Sequence, residues 1–234
     1  MKKLAIIPAY NEEGNIKNVV EDLRANAPDF DFVVINDCST DKTKSILEAL
    51  SVPHINLPVN LGIGGAVQTG YIYARKKGYD IAVQFDGDGQ HDAKYLNSLA
   101  APLERGEADA AIGSRFVEKA GFQSSAMRRF GIKFLSRLIK LLGNVQVADV
   151  TSGMRAVNRK LIDLFALDYA QDYPEPEALL LSGLSGARIT EVPVEMRSRE
   201  SGESSIGGFK SAYYMIKVSM ALVLLRLSNR KERP

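Results

Sequence analysis

The chain has 234 residues, of which 45% are hydrophobic, and its 30 lysines and arginines nearly balance 28 aspartates and glutamates. This length suits one sizeable α/β domain, and the composition excludes disordered and fibrous classes. A lone cysteine, Cys38, excludes an internal disulfide framework and is typical of a reducing compartment. The first apolar run is interpreted as a strand, because Pro8 and Asn11 interrupt it before it reaches the length of a signal peptide.

Short apolar runs recur along the first half of the chain, each bounded by Pro, Gly, Asn or Asp, as buried strands are. Helical patterns lie between them, at residues 15–25 and 40–50. This alternation predicts an α/β fold with a mostly parallel central sheet flanked by helices. The predicted strands are residues 4–7, 32–35, 54–57, 81–85 and 110–112.

Polar clusters follow three of these strands, at the end of the sheet where α/β proteins bind ligands. They read PAYNE, NDCSTD and FDGDGQHD. In the third, Asp86 and Asp88 straddle a glycine and Gln90 follows, a spacing that lets three oxygen ligands converge on Mg²⁺ or Mn²⁺. The alternative for such a short motif is a turn with capping aspartates. An EF-hand is disfavoured because the twelfth loop position is Asn97.

Seven motifs in order, over about residues 4 to 206, resemble those of the family 2 glycosyltransferases, and within them the dolichyl-phosphate mannose synthase-like branch. They are PAYNE (8–12), NDCSTDKT (36–43), NLGIGGAVQTG (60–70), DGDGQH (86–91), GSR (113–115), DVTSGMRA (149–156) and RSRESGESS (197–205). The resemblance implies a glycosyltransferase A-type nucleotide-diphospho-sugar transferase fold. It also implies a metal-dependent, inverting transfer of one hexose from a nucleotide-diphosphate sugar.

The resemblance also implies roles for individual residues. It places Asp86, Asp88 and Gln90 on the metal and diphosphate, and Arg115 with Arg128 or Arg129 on an acceptor phosphate. The predicted nucleotide and diphosphate residues are Pro8, Tyr10, Glu12, Asp37, Gly64, Arg199 and Ser205. Asp37 also has a reason of its own, because a strand-end carboxylate can accept hydrogen bonds from a base or ribose; its alternative is to cap the next helix. The Gly62, Gly64, Gly65 spacing argues against a redox dinucleotide site.

In this branch the acceptor is a polyprenyl phosphate. Its phosphate oxygen is anionic near neutral pH, so the attack on the anomeric carbon needs no strong general base. One alternative is a soluble glycosyltransferase that extends a lipid-linked or cell-wall glycan, with Asp149 as the base. Another is a non-catalytic nucleotide-sugar-binding partner, against which the intact metal motif, Arg115 and Arg155 argue. No nucleic-acid partner is expected.

Two segments depart from the family pattern. Ser205 stands where the family has a lysine, so Arg199 is expected to help neutralise the diphosphate. The second segment, DYPEPEALL at 172–180, carries Glu175 and Glu177, and its prolines predict an extended loop. These glutamates are interpreted as readers of donor hydroxyls, which favours UDP-glucose or UDP-N-acetylglucosamine over GDP-mannose; a solvated loop is the alternative.

Two segments suggest membrane contact. Residues 127–142 form a basic amphipathic helix pattern, with Arg129, Lys133, Arg137 and Lys140 on one face and Phe130, Phe134, Leu138, Leu141 and Leu142 on another. Residues 212–225 hold one charge, but as a helix they reach only ~21 Å, which predicts an interfacial or partner-binding helix; a core helix is the alternative. We therefore predict a catalytic domain at 1–208 and an interfacial segment at 209–234. The expected location is cytoplasmic, peripheral at the inner face of the cell membrane, and the resemblance permits a small membrane protein as partner.

Overall fold

The computed structural model describes residues 1–117, 126–197 and 208–230, which form one mixed sheet with helices around it. The strands are β1 (Lys3–Ala9), β2 (Asp31–Asn36), β3 (His54–Asn56), β4 (Ile81–Gln84), β5 (Ala110–Ser114), β6 (Arg155–Asn158) and β7 (Ile189–Pro193). The helices are α1 (Ile16–Asn26), α2 (Thr43–Ala49), α3 (Gly62–Lys77), α4 (Leu96–Glu104), α5 (Ala126–Gly143), α6 (Arg159–Leu167), α7 (Pro174–Leu184) and α8 (Gly208–Arg230), with a short 3₁₀ helix at Ala93–Tyr95.

The sheet has the strand order β3-β2-β1-β4-β6-β5-β7 and is mostly parallel, as predicted. The exception is β6, which runs antiparallel to both of its neighbours, β4 and β5. Its first residue, Arg155, therefore lies beside Gln84, the last residue of β4. Reversal of this one strand brings the segment before β6 to the edge where β1 and β4 end.

The strands β1, β4 and β5 are buried throughout, and β2 over its last four residues, because helices cover both faces of the sheet. The edge strand β3 is only partly buried. In β1, Ala5 and Ile7 pack into one apolar cluster with α1 and α4, whereas Leu4 and Ile6 pack into another with α3 and α6. Successive side chains of a strand point to opposite faces, so a continuous apolar run fills two cores at once.

A third apolar cluster joins α5, α7 and α8 into one layer. The predicted helix at 127–142 is present, but its core face consists of Ile132, Leu135 and Ile139. Phe130 and Leu141, which the sequence pattern assigned to the apolar face, are 73% and 81% exposed. The pattern missed this division because two apolar stripes run along the same helix, one inward and one outward.

The C-terminal helix α8 is divided in the same way. Val218 and Leu222 are fully buried in the third cluster, whereas Ile216, Met220 and Leu224 are exposed on the opposite stripe. We call the exposed stripes of α5 and α8 the outer apolar faces. Among the described residues, no helix is both long enough and apolar enough to cross a bilayer.

The predicted extended loop at 172–180 is wrong, because α7 begins at Pro174. A proline at the first helical position loses nothing by lacking an N–H, since the first N–H groups of a helix have no intrahelical partner. Pro176 lies in the same first turn. The two prolines therefore start a helix here and do not prevent one.

Candidate active site

The candidate site lies where β1 and β4 end. From β1 the sheet continues through β2 to β3 on one side, and the chain then crosses to β4 on the other side of β1. Open α/β sheets bind ligands at such a reversal of strand order, outside the carboxyl ends of the strands. The PAYNE and FDGDGQHD clusters follow these two adjacent strands, and NDCSTD follows β2 next to them.

Hydrogen bonds between side chains and backbone brace the loops after β1 and β2 against each other. The Asn11 N–H donates to Ser39 Oγ at 3.0 Å, and Asn11 Oδ1 accepts from the Thr40 N–H at 2.8 Å. The Glu12 N–H donates to Thr43 Oγ1 at 2.8 Å. Sequence reasoning singled out neither Asn11 nor Thr43 for this task. The local signal for Asn11 is its residue type, because asparagine tolerates the left-handed region in which its φ of 56° lies.

The predicted nucleotide residues surround this braced pair of loops. Pro8 is buried in β1, and Tyr10 is half-exposed. Glu12 accepts a hydrogen bond from the Asn15 side chain at 2.7 Å. Asp37 is buried and accepts from the Leu61 N–H at 2.7 Å. Leu61 is the residue before α3, so the helix that Asp37 supports is α3 and not the next one along the chain.

Gly64 has a packing reason to be glycine. A Cβ at this position would lie 2.2 Å from the backbone oxygen of Ala170 and 2.5 Å from Gln171, so only a glycine lets α3 approach that loop. The structure thus explains Gly64 through contact between two parts of the protein.

The loop after β4 presents oxygen atoms held in defined positions. Asp86 Oδ1 accepts from the Gln84 side-chain amide at 3.0 Å, and Asp88 Oδ1 accepts from the Gln90 N–H at 3.0 Å. The buried His91 accepts the Asp86 N–H at Nδ1 (2.9 Å), which leaves its other nitrogen, Nε2, as the protonated one when the ring is neutral, 3.6 Å from Asp86 Oδ2.

This donor set fits a hard divalent cation that keeps open positions. Within the described part of the chain no cluster of three or more His, Cys, Asp or Glu side chains could hold a metal. Two carboxylates and an amide nevertheless suit Mg²⁺ or Mn²⁺, which commonly retain waters or take substrate phosphates as further ligands. Asp86, Asp88 and Gln90 would hold such an ion.

Arg115 and Asp149 form a bidentate ion pair. Arg115 Nε lies 2.7 Å from Asp149 Oδ2, and Nη2 lies 2.8 Å from Oδ1. Asp149 is fully buried, and both carboxylate oxygens of Glu191 accept backbone N–H groups of Ala148 and Asp149. A general base must reach the proton that it removes, so this geometry favours a carboxylate that orients Arg115.

Arg129, Arg199 and Ser205 complete the set of predicted site residues. Arg129 is exposed on the first turns of α5. Arg199 and Ser205 lie outside the described residues.

The two glutamates of α7 face different surroundings. Burial raises the pKa of Glu175. The nearby Arg155 guanidinium opposes this rise, and the negative charge of Asp86 adds to it. Burial and the neighbouring Asp172 and Asp168 raise the pKa of Glu177 to about 7. Of the two glutamates, Glu175 is therefore the one whose pKa is affected by Asp86 of the loop after β4.

Arg155 is a buried residue that the sequence analysis weighed only as part of a motif. Its Nη2 donates to the Ser152 carbonyl at 2.5 Å and its Nη1 to the Glu175 carbonyl at 3.1 Å. The side chain thus ties the start of β6 to the start of α7, and it places a positive charge near the carboxylate of Glu175.

Residues 4–165 match the family model of Glycosyl transferase family 2. The chain belongs to this family. The fold and the family predicted from the seven motifs are both confirmed.

Curated relatives cover nearly the whole chain. A UDP-N-acetylglucosamine–dolichyl-phosphate N-acetylglucosaminyltransferase from Methanococcus voltae is 31% identical, over 94% of this chain and 96% of that protein. A polyprenol monophosphomannose synthase from Mycolicibacterium smegmatis is 29% identical, over 93% of this chain and 86% of its own. The glucosyl-3-phosphoglycerate synthase of Mycobacterium tuberculosis, crystallised with Mn²⁺, UDP-glucose and phosphoglyceric acid, has a TM-score of 0.71 at 20% identity, over 100% of this chain and 81% of that one. This structural likeness shows the shared fold.

Proposed function

We propose that this family 2 glycosyltransferase moves one hexose from a nucleotide-diphosphate sugar to a polyprenyl phosphate at a membrane surface. The observation that carries the proposal is the bidentate Arg115–Asp149 pair, in a chain whose relatives act on dolichyl phosphate or make a polyprenol monophosphomannose. In this arrangement an arginine is oriented for a phosphate and the adjacent carboxylate is buried. A phosphate acceptor needs such an arginine and does not need a carboxylate base.

The reaction is an inverting displacement. An oxygen of the acceptor phosphate forms a bond to the anomeric carbon, while the bond from that carbon to the nucleoside diphosphate breaks and the diphosphate leaves with the electron pair. Mg²⁺ or Mn²⁺, when bound, stabilises the negative charge on the leaving diphosphate. Asp86, Asp88 and Gln90 would hold the cation, and Pro8, Tyr10, Glu12 and Asp37 would hold the nucleoside.

Arg115 binds the acceptor phosphate, and Arg129 assists it from α5. Asp149 fixes the guanidinium plane of Arg115, because two parallel hydrogen bonds leave the planar group little freedom to rotate. The alternative of a glycan-extending enzyme with Asp149 as base is disfavoured, since Asp149 is fully buried. Arg199 and Ser205 remain part of the proposed diphosphate site.

Glu175 contributes to recognition of the donor sugar. Its carboxylate lies within the electrostatic reach of both Asp86 and Arg155, whereas Glu177 faces Asp168 and Asp172. An acidic residue beside the metal loop can accept hydrogen bonds from sugar hydroxyls. We keep the preference for UDP-glucose or UDP-N-acetylglucosamine as donor, and one relative uses UDP-N-acetylglucosamine.

The outer apolar faces meet the membrane. Phe130, Phe134 and Leu141 of α5 are exposed beside its cationic residues, and α8 adds an exposed stripe of its own. Apolar side chains edged by cations suit a bilayer surface that carries anionic lipids. The aromatic contact between Tyr173 and Tyr214, 5.2 Å between ring centroids, joins α8 to the residue before α7 and so to Glu175. Residues 209–234 thus serve as the interfacial segment of a catalytic domain at 1–208.

On this basis the enzyme works at the cytoplasmic, inner face of the cell membrane. We leave the small membrane protein out of the proposal, because neither the described residues nor the relatives support it.

The test is an incubation of the protein with a panel of radiolabelled nucleotide sugars, Mn²⁺ and undecaprenyl phosphate. We expect the label of one UDP-sugar to enter the organic phase, and the same reaction without undecaprenyl phosphate is the control. Label that enters only a water-soluble glycan would favour the glycan-extending alternative, and transfer of mannose from GDP-mannose alone would overturn the donor assignment.

A further inference from the structure

Arg197, which follows β7, bridges two carboxylates on different elements. Its Nη1 lies 3.1 Å from Asp22 Oδ2 on α1, and its Nη2 lies 3.0 Å from Asp92 Oδ2. Asp92 is the N-cap residue of the 3₁₀ helix that follows the metal loop. One guanidinium therefore connects three segments that are far apart in the sequence.

The backbone of the same residue holds the predicted metal ligand Gln90. The Arg197 N–H donates to the Gln90 carbonyl at 2.8 Å, and Gln90 Nε2 donates to the Arg197 carbonyl at 3.4 Å. Because the nitrogen end of the Gln90 amide makes this contact, the oxygen end of the amide is turned away from the Arg197 carbonyl. Asp22, Asp88, Gly89 and Arg197 also line one cavity of about 250 Å³ beside the loop.

We propose that Arg197 is a positioning residue that holds the Asp88–Gln90 loop in its cation-binding conformation. The inference rests on the proposed function, since it assigns Arg197 to the metal site of that reaction. A planar guanidinium suits this task because its two Nη groups can contact two carboxylates in fixed directions, which an ammonium group does not do. Arg197 itself touches neither cation nor substrate in this role.

Charge and positioning predict opposite effects when Arg197 is replaced. Removal of the positively charged Arg197 side chain makes the electrostatic potential at the loop more negative. This change by itself strengthens the binding of a divalent metal ion. Loss of the bridge lets Gln90 and Asp88 move, which weakens binding. The Arg197 side chain is half-exposed, so its contribution to the free energy of unfolding is expected to be small.

The experiment compares Arg197→Ala with Arg188→Ala as a matched control. Arg188 is also an exposed arginine paired with an aspartate, Asp109, but it precedes β7 and so lies at the opposite edge of the sheet from the site. Binding of Mn²⁺ in the presence of UDP is measured from the electron paramagnetic resonance signal of free Mn²⁺, together with the melting temperature of each variant.

We expect Arg197→Ala to raise the Kd for Mn²⁺ about tenfold, the effect typical of residues that orient metal ligands, with Arg188→Ala within about twofold of wild type. Arg197→Lys keeps the charge but not the two-carboxylate bridge, so it should also weaken binding. Should Arg197→Ala prove poorly folded, Arg197→Lys carries the test by itself, because it keeps the charge and changes only the geometry of the contacts to Asp22 and Asp92.

Unchanged or tighter Mn²⁺ binding in Arg197→Ala, or full rescue by Arg197→Lys, would overturn the positioning role. The assay contains no acceptor, so its result is independent of the acceptor assignment. Wild-type protein that binds Mn²⁺ and UDP but labels no lipid would defeat the proposed function and leave the role of Arg197 standing. Wild-type protein that binds no Mn²⁺ would defeat both.

Discussion

The edge of the sheet that carries the candidate donor site and the layer of α5, α7 and α8 are stabilised in different ways. At the donor edge, hydrogen bonds such as Asn11 to Thr40 and Asp37 to Leu61 tie polar groups of separate loops together. In the three-helix layer, apolar side chains fill the inner faces, and large apolar side chains such as Phe130 and Leu224 also cover the outer ones.

This difference indicates two kinds of binding surface. Loops fixed by many directional bonds keep their shape before a ligand arrives, which suits a charged donor that must be aligned to within fractions of an ångström. An exposed apolar surface has no directional partner and gains free energy from any apolar phase that covers it. Substitutions at the donor edge should therefore lower the rate of sugar transfer itself. Substitutions on the outer apolar faces should instead lower the rate at which the enzyme meets the lipid acceptor.

The largest effect is expected at the donor edge, from Asp88→Asn. The change keeps the side-chain shape but removes a negative charge from the cation site, so turnover should fall at least about 100-fold with the fold retained. The measurement is radiolabel transfer to undecaprenyl phosphate across a range of Mg²⁺ and Mn²⁺ concentrations.

Asp80→Asn is the control for this experiment. Asp80 is exposed and accepts the Lys2 N–H at 2.7 Å, just before β4 begins, at the opposite edge of the sheet. Wild-type turnover of Asp88→Asn at all metal concentrations would show that the metal assignment is wrong.

Arg115→Lys tests the acceptor side of the same edge. Lysine keeps a positive charge near the buried Asp149 but cannot form the bidentate pair, so kcat/KM for the lipid phosphate should fall about tenfold or more. Lysine is preferred to alanine, because an uncompensated buried Asp149 would cost about 3–5 kcal/mol of stability. UDP affinity, measured by calorimetry, should stay within about twofold; a large loss would place Arg115 at the donor.

The outer apolar faces are tested with Ile216→Ser combined with Leu224→Ser. Both side chains are exposed on α8, so the fold should survive, whereas activity on undecaprenyl phosphate in anionic vesicles should fall about tenfold because less apolar surface can enter the bilayer. Activity on a short water-soluble prenyl phosphate should be unaffected.

The matched control is Leu167→Ser, which removes an equally exposed leucine from α6. Point substitutions are more informative here than deletion of residues 209–234, because Val218 and Leu222 of α8 belong to the core. Equal losses for the double variant and the control would contradict a specific membrane role.

The smallest effect is expected from Glu177→Gln at the start of α7. The ordinary pKa of 4.5 applies to the unfolded chain, and the pKa is about 7 in the folded protein. Between these values the folded state binds more protons than the unfolded state, so the free energy of unfolding falls as the pH rises through this window. The glutamine variant lacks this fall.

Melting temperatures measured from about pH 4 to about pH 8 check this expectation. Glu177→Gln should melt about 2–4 °C above wild type at the upper end and should show no such gain at the lower end. Glu21→Gln, at an exposed position on α1, is the control. A constant difference across the whole range would contradict the assignment to Glu177.

The donor edge could be predicted from the sequence because its signals are local. Apolar runs predicted all of β1 to β5, and each polar cluster follows the strand that positions it. The motifs also identified the family, which the profile match over residues 4–165 confirms. The individual site residues stay predictions until they are tested.

The second half could not be predicted in the same way, because tertiary contacts decide its structure. The strand β6 has only four residues, RAVN, and distant segments determine its place: it pairs with β4 and β5, and Ala156 and Val157 pack into the apolar clusters on the two faces of the sheet. The ion pair of Arg115 with Asp149 spans 34 positions, and the bridge from Arg197 to Asp22 spans 175. No local pattern contains either contact.

The position of β6 in the sheet also constrains the order in which the chain can fold. The strand β5 pairs only with β6 and β7 among the described strands, and both come later in the chain. During synthesis β1 to β4 can form their parallel pairs as they emerge, whereas β5 has no strand to join until residues 155–158 have left the ribosome. For that interval the backbone N–H and C=O groups of Ala110 to Ile112 have no neighbouring strand to bond to, although α4, which packs against this strand, has already been made. A slow-translating segment or a mutation that delays β6 would therefore lengthen the exposure of an unpaired strand, which is the condition under which nascent chains aggregate.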